Sequence, residues 1–155
     1  MDYEIFSLGN VQLQSGEVLE DAKLAYKTYG ELNAARDNVV VIPTFYTGTH
    51  VRNEAYFGAG RAVDPAHHFV VSPNLFGNAL STSPSNASAA CRGSHFPTTT
   101  LFDNVACQKR LLVEALGIER IALVMGWSMG ACQSFQWGAQ YPDRVDAILP
   151  FCGCA

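Results

Sequence analysis

The stretch Ile121-Ala122-Leu123-Val124-Met125-Gly126-Trp127-Ser128-Met129-Gly130 decides the fold of this chain. Its first five residues are apolar, which is typical of a strand buried on both faces of a parallel sheet. The next five have the pattern Gly-x-Ser-x-Gly, and a helical pattern continues from Met129 to Gln140. A serine at such a strand-to-helix turn projects its hydroxyl above the carboxyl edge of the sheet, where open α/β folds bind ligands. The sequence therefore predicts an α/β fold with Ser128 as a nucleophile.

Further strands and a second helix are predicted on both sides of this turn. Val39–Ile42 and Phe69–Val71 are short apolar runs rich in β-branched residues, and Val145–Leu149 repeats the pattern more weakly. The segment from Thr100 to Gly117 has helical periodicity, with an acidic capping box at its start and a glycine at its end. Buried strands that alternate with amphipathic helices indicate parallel strands joined by crossover helices.

The beginning of the chain has a different pattern, typical of antiparallel strands. Ile5–Leu8 and Val11–Leu13 are predicted as short strands, Gln14–Glu17 as a turn, and Leu24–Tyr29 as a half-exposed strand. The segment 77–100 is rich in Ser, Thr, Asn, Ala and Pro, and it is long for a connection in a compact domain. We therefore expect it to be a functional surface loop.

Composition restricts the classes of function. The 155 residues, 16.8 kDa, are enough for one domain and are 48% hydrophobic but only 15% charged, which argues against disorder. The net charge of −4 without a basic cluster argues against nucleic-acid binding. The chain has neither a run of about 20 apolar residues nor a signal-peptide pattern, so we expect no membrane segment and a cytoplasmic location. The five irregularly spaced cysteines predict reduced thiols and no metal site.

A serine nucleophile of this kind needs an oxyanion hole, formed by two backbone N–H groups. One is expected from Met129, the residue after the nucleophile, and the other from the loop that follows an earlier buried strand. That loop is 43–48, and the N–H of Tyr46 is the preferred donor, with Phe45 as the alternative. The loop could instead be no more than a turn at the end of a strand.

Five segments together resemble one enzyme family. Leu116–Arg120, the turn Gly126–Gly130, Gln140–Val145, Pro73–Asn78 and Tyr46–Gly48 look like the corresponding segments of the homoserine O-acetyltransferase family. That family has the α/β-hydrolase fold, and the similarity extends from about Leu24 to the last residue. The resemblance implies the N-terminal part of this fold, with an antiparallel hairpin start, parallel strands with crossover helices and a nucleophile elbow at Ser128.

The resemblance also implies ping-pong acyl transfer. Ser128 would take an acetyl group from acetyl-CoA, the expected small-molecule acyl donor, and a hydroxyl acceptor would then remove it. No bound cofactor is expected. The chain has Trp127 and Ala131 where members of that family usually have glycine, and Asn78–Pro84 where they have a Gly-rich loop. Both changes lie where the acceptor would sit. Attack by water on the same acyl-enzyme would make the protein a serine esterase, which is the alternative function.

The base that a serine nucleophile requires is the missing element. This fold places an Asp or Glu and then a His after the serine, whereas only Asp143 and Asp146 follow Ser128, and no histidine does. His50, just beyond the proposed oxyanion loop, is the candidate base among the histidines, although it precedes the serine and the family places the histidine after it. The other histidines are expected to be structural, exposed or near substrate: His67, His68 and His95.

We therefore expect residues 1–155 to be the N-terminal portion of a single α/β-hydrolase domain. The lid, the last strands and the catalytic Asp and His would come from a missing segment or from a companion C-terminal chain. The segment 149–155 is mainly apolar, and an unpaired strand there would be a sheet edge that complete domains avoid. A further alternative is a non-catalytic fragment that pairs with a second chain through this edge. The sequence does not determine the oligomeric state, and a homodimer is one of the options.

Overall fold

The computed structural model describes residues 2–154 and, within that range, arranges six strands in one sheet. The strands are β1 (Glu4–Gln12), β2 (Val18–Tyr29), β3 (Val39–Val41), β4 (Phe69–Pro73), β5 (Leu123–Trp127) and β6 (Ile148–Phe151). The helices are α1 (His50–Asn53), α2 (Leu101–Arg110) and α3 (Met129–Gln140), with a π-helical turn at Leu111–Ala115 and short 3₁₀ turns at Glu54–Tyr56, Ala89–Cys91, Gly93–His95 and Pro142–Arg144.

The strand order is β1-β2-β4-β3-β5-β6. Strand β2 is antiparallel to both of its neighbours, β1 and β4, whereas β4, β3, β5 and β6 are mutually parallel. The predicted antiparallel start and parallel continuation are therefore confirmed. Because β3 and β5 lie side by side near the middle of the parallel part, the loop after β3 and the turn after β5 leave the sheet next to each other.

Both faces of the sheet are covered, as the apolar run of β3 predicts. Val39 and Val41 pack into one core together with buried residues of α2 and α3, including Trp137. Val40 and Ile42 face the other way, into a second cluster that includes Met125. The period-2 alternation along β3 thus divides the chain's apolar side chains between two layers.

The first two strands differ from the prediction. The two short pieces are one strand, β1, with irregular pairing around Gly9, whose φ of +65° suits a bulge. Strand β2 begins at Val18, and its residues 24–26 are buried and not half-exposed. Leu24 and Tyr26 pack into the core that includes Val39 and Val41. The weak strand predicted at Val145–Leu149 is displaced toward the C-terminus, since β6 begins at Ile148 and Val145 makes only an isolated bridge to Ile121.

The predicted capping box at the start of α2 is confirmed. The side chain of Thr100 accepts a hydrogen bond from the N–H of Asp103, and the Asp103 carboxylate accepts one from the N–H of Thr100 at 2.8 Å. The helix continues through the π-helical turn, and Gly117 follows with a φ of +62°, the left-handed conformation that favours glycine after a helix.

The segment 77–100 is not a simple surface loop, because a stretch near its start is buried. Ser81, Thr82 and Ser83 are almost inaccessible. The hydroxyl of Ser81 accepts from the N–H of Ala25 at 2.9 Å, and that of Thr82 accepts from the N–H of Lys23 at 2.7 Å. Strand β4 pairs with β2 only along residues 26–29. The hydroxyl side chains therefore take over the hydrogen bonds that a longer strand would make, which explains the hydroxyl-rich composition.

Candidate active site

Ser128 lies between β5, which ends at Trp127, and α3, which begins at Met129. Its backbone has φ 54° and ψ −120°, a sparsely populated conformation for a residue with a side chain. Such a conformation costs on the order of 1–3 kcal/mol and persists only where the surroundings enforce it. The Ser128 N–H donates to the carbonyl of Phe151 on β6 at 3.1 Å, which fixes the turn to the neighbouring strand. The nucleophile elbow predicted from the sequence has the expected backbone.

The two glycines of the pattern are required by close approach and not by φ. A Cβ on Gly126 would lie 2.9 Å from the Cα of Gly130 and closer still to its carbonyl. A Cβ on Gly130 would lie 2.8 Å from the carbonyl oxygen of Pro43, in the loop after β3. The first turn of α3 therefore packs directly against both the end of β5 and the predicted oxyanion loop.

The predicted oxyanion loop is held in place by Thr44, which is fully buried. Its N–H donates to the carbonyl of Pro73 at 3.1 Å, and its hydroxyl accepts from the N–H of Leu75 at 3.0 Å. Beyond Thr44 the chain turns, with Thr47 at φ +64° and a hydrogen bond of 2.9 Å from the Gly48 N–H to the Phe45 carbonyl. A Cβ on Gly48 would lie 2.8 Å from the Phe45 ring, which explains the glycine at this position.

Tyr46, Ser128 and Met129 line one cavity of about 350 Å³, which we call the oxyanion cavity. Met129 is the first residue of α3, so its N–H has no acceptor within the helix. Within residues 2–154, the N–H groups of Tyr46 and Phe45 also find no protein acceptor. The structure thus brings the three predicted site residues together, and the donor role of Tyr46 stays a prediction.

A second cavity, the aromatic cavity, adjoins the first and has a volume of about 640 Å³. It is lined by Ser128, Trp127 and Tyr56, among others. Trp127 packs edge-on against Phe45 with ring centroids 4.8 Å apart, and Tyr56 packs in the same way against Phe151 at 5.3 Å. Burial, followed by the nearby Cys152 thiol, raises the pKa of Tyr56, so its phenol stays neutral at ordinary pH. Aromatic rings therefore form a large part of the wall beside the nucleophile, and Arg52 is the charged residue in the lining.

The histidines do not complete the site within the described part of the chain. His50 is buried, its Nδ1 lies 3.2 Å from the side-chain nitrogen of Asn74, and its Nε2 has no partner among residues 2–154. His50 lines neither cavity beside Ser128, so its alternative role as the base gains no support. His68 contacts the backbone of Asp64, and His95 is exposed in a 3₁₀ turn.

The two acids that follow Ser128 are at the surface. Asp143 is exposed in the turn after α3, and Asp146 pairs with Arg120 at 2.6 Å. Within the described range, no side chain hydrogen-bonds to the hydroxyl of Ser128.

No cluster of His, Cys, Asp or Glu in residues 2–154 could hold a metal ion, and the cysteines of that range are free thiols. No helix of the described range is long and apolar enough to span a bilayer.

Sequence reasoning missed a buried polar connection behind the site. Gln108 of α2 and Gln133 of α3 are fully buried, together with Trp137, and all three are linked by hydrogen bonds. A signal was present in the sequence. Gln108 lies three residues after Val105 and four before Leu112, so this amide falls on the apolar face of its helix. A buried amide on such a face must find hydrogen-bond partners, so the pattern predicts a polar contact inside the core.

The sequence pattern described as the alpha/beta hydrolase fold matches residues 37–149. The chain belongs to the α/β-hydrolase family. The expected fold class is therefore confirmed, and the elbow at Ser128 lies inside the matched range.

The relatives of this α/β-hydrolase include esterases and acetyltransferases. A probable esterase of Corynebacterium glutamicum is 42% identical over 155 residues, and an ethyl acetate hydrolase of Pseudomonas veronii is 38% identical over 154. Each alignment covers 99% of this chain and 44% of the relative. A homoserine O-acetyltransferase of Chlorobium chlorochromatii is 39% identical over 141 residues, 86% of this chain and 39% of that protein. The resemblance to the acetyltransferases is confirmed, alongside esterases, and the chain spans less than half the length of these relatives.

Solved structures give the same two groups. The structure of an acetylester hydrolase from Corynebacterium glutamicum superposes with a TM-score of 0.95 at 42% identity, covering 99% of this chain and 44% of that one. A homoserine O-acetyltransferase from Bacillus anthracis superposes with a TM-score of 0.83 at 26% identity, covering 94% of this chain and 45% of that one. The α/β-hydrolase described here is thus similar in structure both to an acetylester hydrolase and to a homoserine O-acetyltransferase.

Proposed function

We propose that this chain supplies the nucleophile and the oxyanion hole of an esterase that hydrolyses small acetyl esters. The observation that carries the proposal is the single cavity shared by Ser128, on its strained elbow, and by Met129 and Tyr46. A hydroxyl and two backbone donors at one place are the groups that acyl transfer through serine requires.

The reaction begins with attack of the Ser128 oxygen on the acetyl carbonyl carbon, while its proton passes to a base. The carbonyl oxygen becomes an oxyanion that accepts hydrogen bonds from the N–H groups of Met129 and Tyr46. As the intermediate collapses, the C–O bond to the alcohol breaks, and the alcohol leaves with the proton. Water then attacks the acetyl-serine, and acetate leaves as the Ser128 hydroxyl is restored.

A small ester fits the aromatic part of the walls of the site. Trp127 lies beside the nucleophile and packs on Phe45, so the aromatic cavity offers apolar surface to the acyl and alcohol groups. Two relatives that align over 99% of this chain are esterases by name, one of them for ethyl acetate. These likenesses support hydrolysis over transfer.

Transfer of an acetyl group from acetyl-CoA to a hydroxyl acceptor is the second candidate. It is favoured by Tyr46–Gly48 and Pro73–Asn78, which resemble homoserine O-acetyltransferases, and by relatives of that name at up to 39% identity. The first half of the reaction would be the same, with the CoA thiol as leaving group. Only the second half differs, because an alcohol and not water would attack the acetyl-serine.

We further propose that the catalytic Asp and His come from sequence beyond these 155 residues, in the same polypeptide or in a companion chain. The outer edge of β6 supports this proposal, since no strand of the described range pairs with it and Leu149 is half exposed. A parallel strand added there would lie beside the elbow. We call the assembly of this chain with that sequence the complete enzyme.

The partition of the acyl group tests the choice between the two candidate functions. The complete enzyme is supplied with ethyl acetate in water, and separately with acetyl-CoA in the presence and absence of homoserine. Acetate release from the ester without an acceptor, with little turnover of acetyl-CoA, is expected. Turnover of acetyl-CoA that depends on homoserine and yields its O-acetyl ester would show that the protein is an acetyltransferase.

Covalent labelling tests whether the chain is catalytic at all. A fluorophosphonate reacts with an activated serine, so it should label Ser128 in the complete enzyme, as located by peptide mapping. The denatured enzyme is the control and should remain unlabelled. If Ser128 stays unlabelled in the native assembly, a fragment that binds a second chain without catalysis is the better account.

A further inference from the structure

A line of four buried groups connects the interior of the molecule to the predicted oxyanion loop. The indole N–H of Trp137 donates to the side-chain oxygen of Gln108 at 2.9 Å. The amide nitrogen of Gln108 donates to the side-chain oxygen of Gln133 at 2.6 Å. The amide nitrogen of Gln133 then donates to the carbonyl oxygen of Thr44 at 2.8 Å. All four residues are 1% exposed or less.

The direction of this line is fixed by its two ends. An indole N–H can only donate, and a backbone carbonyl can only accept. Both glutamine amides must therefore point their oxygens toward Trp137 and their nitrogens toward Thr44. A flip of either amide would place two donors or two acceptors against each other in the core, which is costly where no water can intervene. The NH₂ group of Gln133 is thus held facing the loop.

That NH₂ group contacts a carbonyl on each of the two segments that carry the predicted oxyanion donors. Besides the Thr44 carbonyl, it lies 3.3 Å from the carbonyl oxygen of Met129. Met129 carries one oxyanion donor, and Thr44 lies two residues before Tyr46, which carries the other predicted donor. The same two segments are in direct contact at Gly130, where a Cβ would lie 2.8 Å from the Pro43 oxygen. Gln133 therefore bridges the two segments at the point where they approach each other.

We propose that Gln133 is a positioning residue that sets the spacing between the two N–H groups of the oxyanion hole. It does so by donating to a carbonyl on each side; these two acceptors hold its amide in the required orientation, and Gln108 supplies the partner for its oxygen. The inference rests on the proposed function for its effect on catalysis. Burying two amides in a helix interface brings little net stability, because each hydrogen bond replaces one to water. Positioning of the oxyanion donors would account for these two buried amides, which stability alone does not explain.

The test compares two variants of the complete enzyme. Gln133→Met keeps the length of the side chain and removes its hydrogen bonds, and Gln136→Met changes another glutamine of α3, whose amide bonds only to Gln140 in the described range. For Gln133→Met we expect kcat to fall about 10- to 100-fold with KM changed by less than about threefold, because displacement of donors by about 1 Å can reduce rates on that scale. For Gln136→Met we expect both constants to stay within about twofold of the native values, as for most surface changes.

A second measurement separates positioning from general loss of stability. A trifluoromethyl ketone that mimics the tetrahedral intermediate should lose affinity for Gln133→Met by the same factor as kcat/KM, because both depend on the donors. Gln108→Met removes a buried hydrogen bond of the same line but leaves the Gln133 donors in place. It should lower thermal stability to a similar extent while retaining most of kcat. Equal losses of kcat in the Gln108 and Gln133 variants would overturn the proposal.

A measurement that does not depend on activity completes the test. Amide hydrogen exchange at Thr44 and Gly48, whose N–H groups are hydrogen-bonded, should be faster in Gln133→Met than in Gln136→Met, because the loop has lost its link to α3. If Gln133→Met does not fold, Gln133→Asn replaces it, since this variant keeps the amide but withdraws it from Thr44 and should give the same pattern. Unchanged exchange and unchanged kcat would refute the role of Gln133. If the native enzyme lacks esterase activity but exchange still differs between the Gln133 and Gln136 variants, only the proposed function is refuted.

Discussion

The packing of Gly126 against Gly130 makes a specific prediction for Gly126→Ala. The added Cβ would lie 2.9 Å from the Gly130 Cα, at least about 0.5 Å inside ordinary contact, and its neighbours there are backbone atoms that cannot rotate away. Forcing an extra methyl into a packed interior costs about 1–3 kcal/mol, and the reduced freedom of the unfolded chain offsets about 0.4–1 kcal/mol of that. We expect the complete enzyme to lose about 1–2 kcal/mol of unfolding free energy.

The same substitution should also damage catalysis. To relieve the contact, the first turn of α3 must move away from β5, and that turn carries Ser128 and Met129. We expect kcat for a small acetyl ester to fall about 10- to 100-fold, because reacting groups misplaced by about 1 Å can lose a factor of that order. Urea unfolding followed by circular dichroism measures the first effect, and ester hydrolysis at saturating substrate measures the second.

Gly138→Ala is the matched control on the same helix. A Cβ there would lie 3.5 Å from the side chain of Ile148, which is ordinary van der Waals contact. Alanine is a better helix former than glycine, so this variant should gain about 0.5–1 kcal/mol and keep its activity. If Gly126→Ala were as stable as Gly138→Ala and retained its kcat within about twofold, the steric account of the elbow would be wrong.

Three further predictions concern the cap of α2, an alkaline transition and the aromatic wall. Thr100→Ala should cost about 0.5–2 kcal/mol in urea unfolding, because it removes the acceptor for the Asp103 N–H, and an unchanged midpoint would contradict the capping box. Burial, and then hydrogen bonding to Glu4, raises the pKa of Tyr26 to about 12 from 10.0, so the folded state holds this proton more tightly than the unfolded state. Its stabilising contribution is present below pH 10 and is lost as the pH rises toward about 12, and Tyr26→Phe should flatten that loss in unfolding measured across this range. Trp127→Gly removes the wall that packs on Phe45, so the ratio of kcat/KM for a butyrate ester to that for an acetate ester should rise about 10-fold or more, whereas an unchanged ratio would show that Trp127 does not limit the acyl group.

The elbow could be predicted from the sequence because its requirements are local. A buried strand, two small residues around a serine and an immediate helix specify one backbone turn, and the structure has that turn at Ser128 with φ 54°. The position of the predicted oxyanion loop is local for the same reason, because the loop consists of the first residues after the buried strand at 39–42. Its internal turn at Thr47 and Gly48 was not foreseen, because the contact of Gly48 with the Phe45 ring depends on how the loop closes.

Features that depend on distant partners were missed. Gln133 bonds to Gln108, 25 residues earlier, and to Thr44, 89 residues earlier, and no local pattern records such pairings. The hydroxyls of Ser81 and Thr82 replace strand partners for β2 over separations of 56 and 59 residues. The composition of their segment is that of a loop, so the sequence alone predicts a surface loop there. Local chemistry indicated the nucleophile, whereas the groups that hold the site in shape required the fold.

Detection of the acetyl-enzyme tests the central claim most directly. The complete enzyme is mixed with an acetyl ester, quenched in acid within the first turnover, digested and analysed by mass spectrometry. We predict one acetyl group on the peptide that contains Ser128, absent when substrate is omitted and lost when the reaction runs to completion before the quench. Ester hydrolysis at full rate with no acetyl group on Ser128, or with the acetyl group on another residue such as Cys132, would contradict the account.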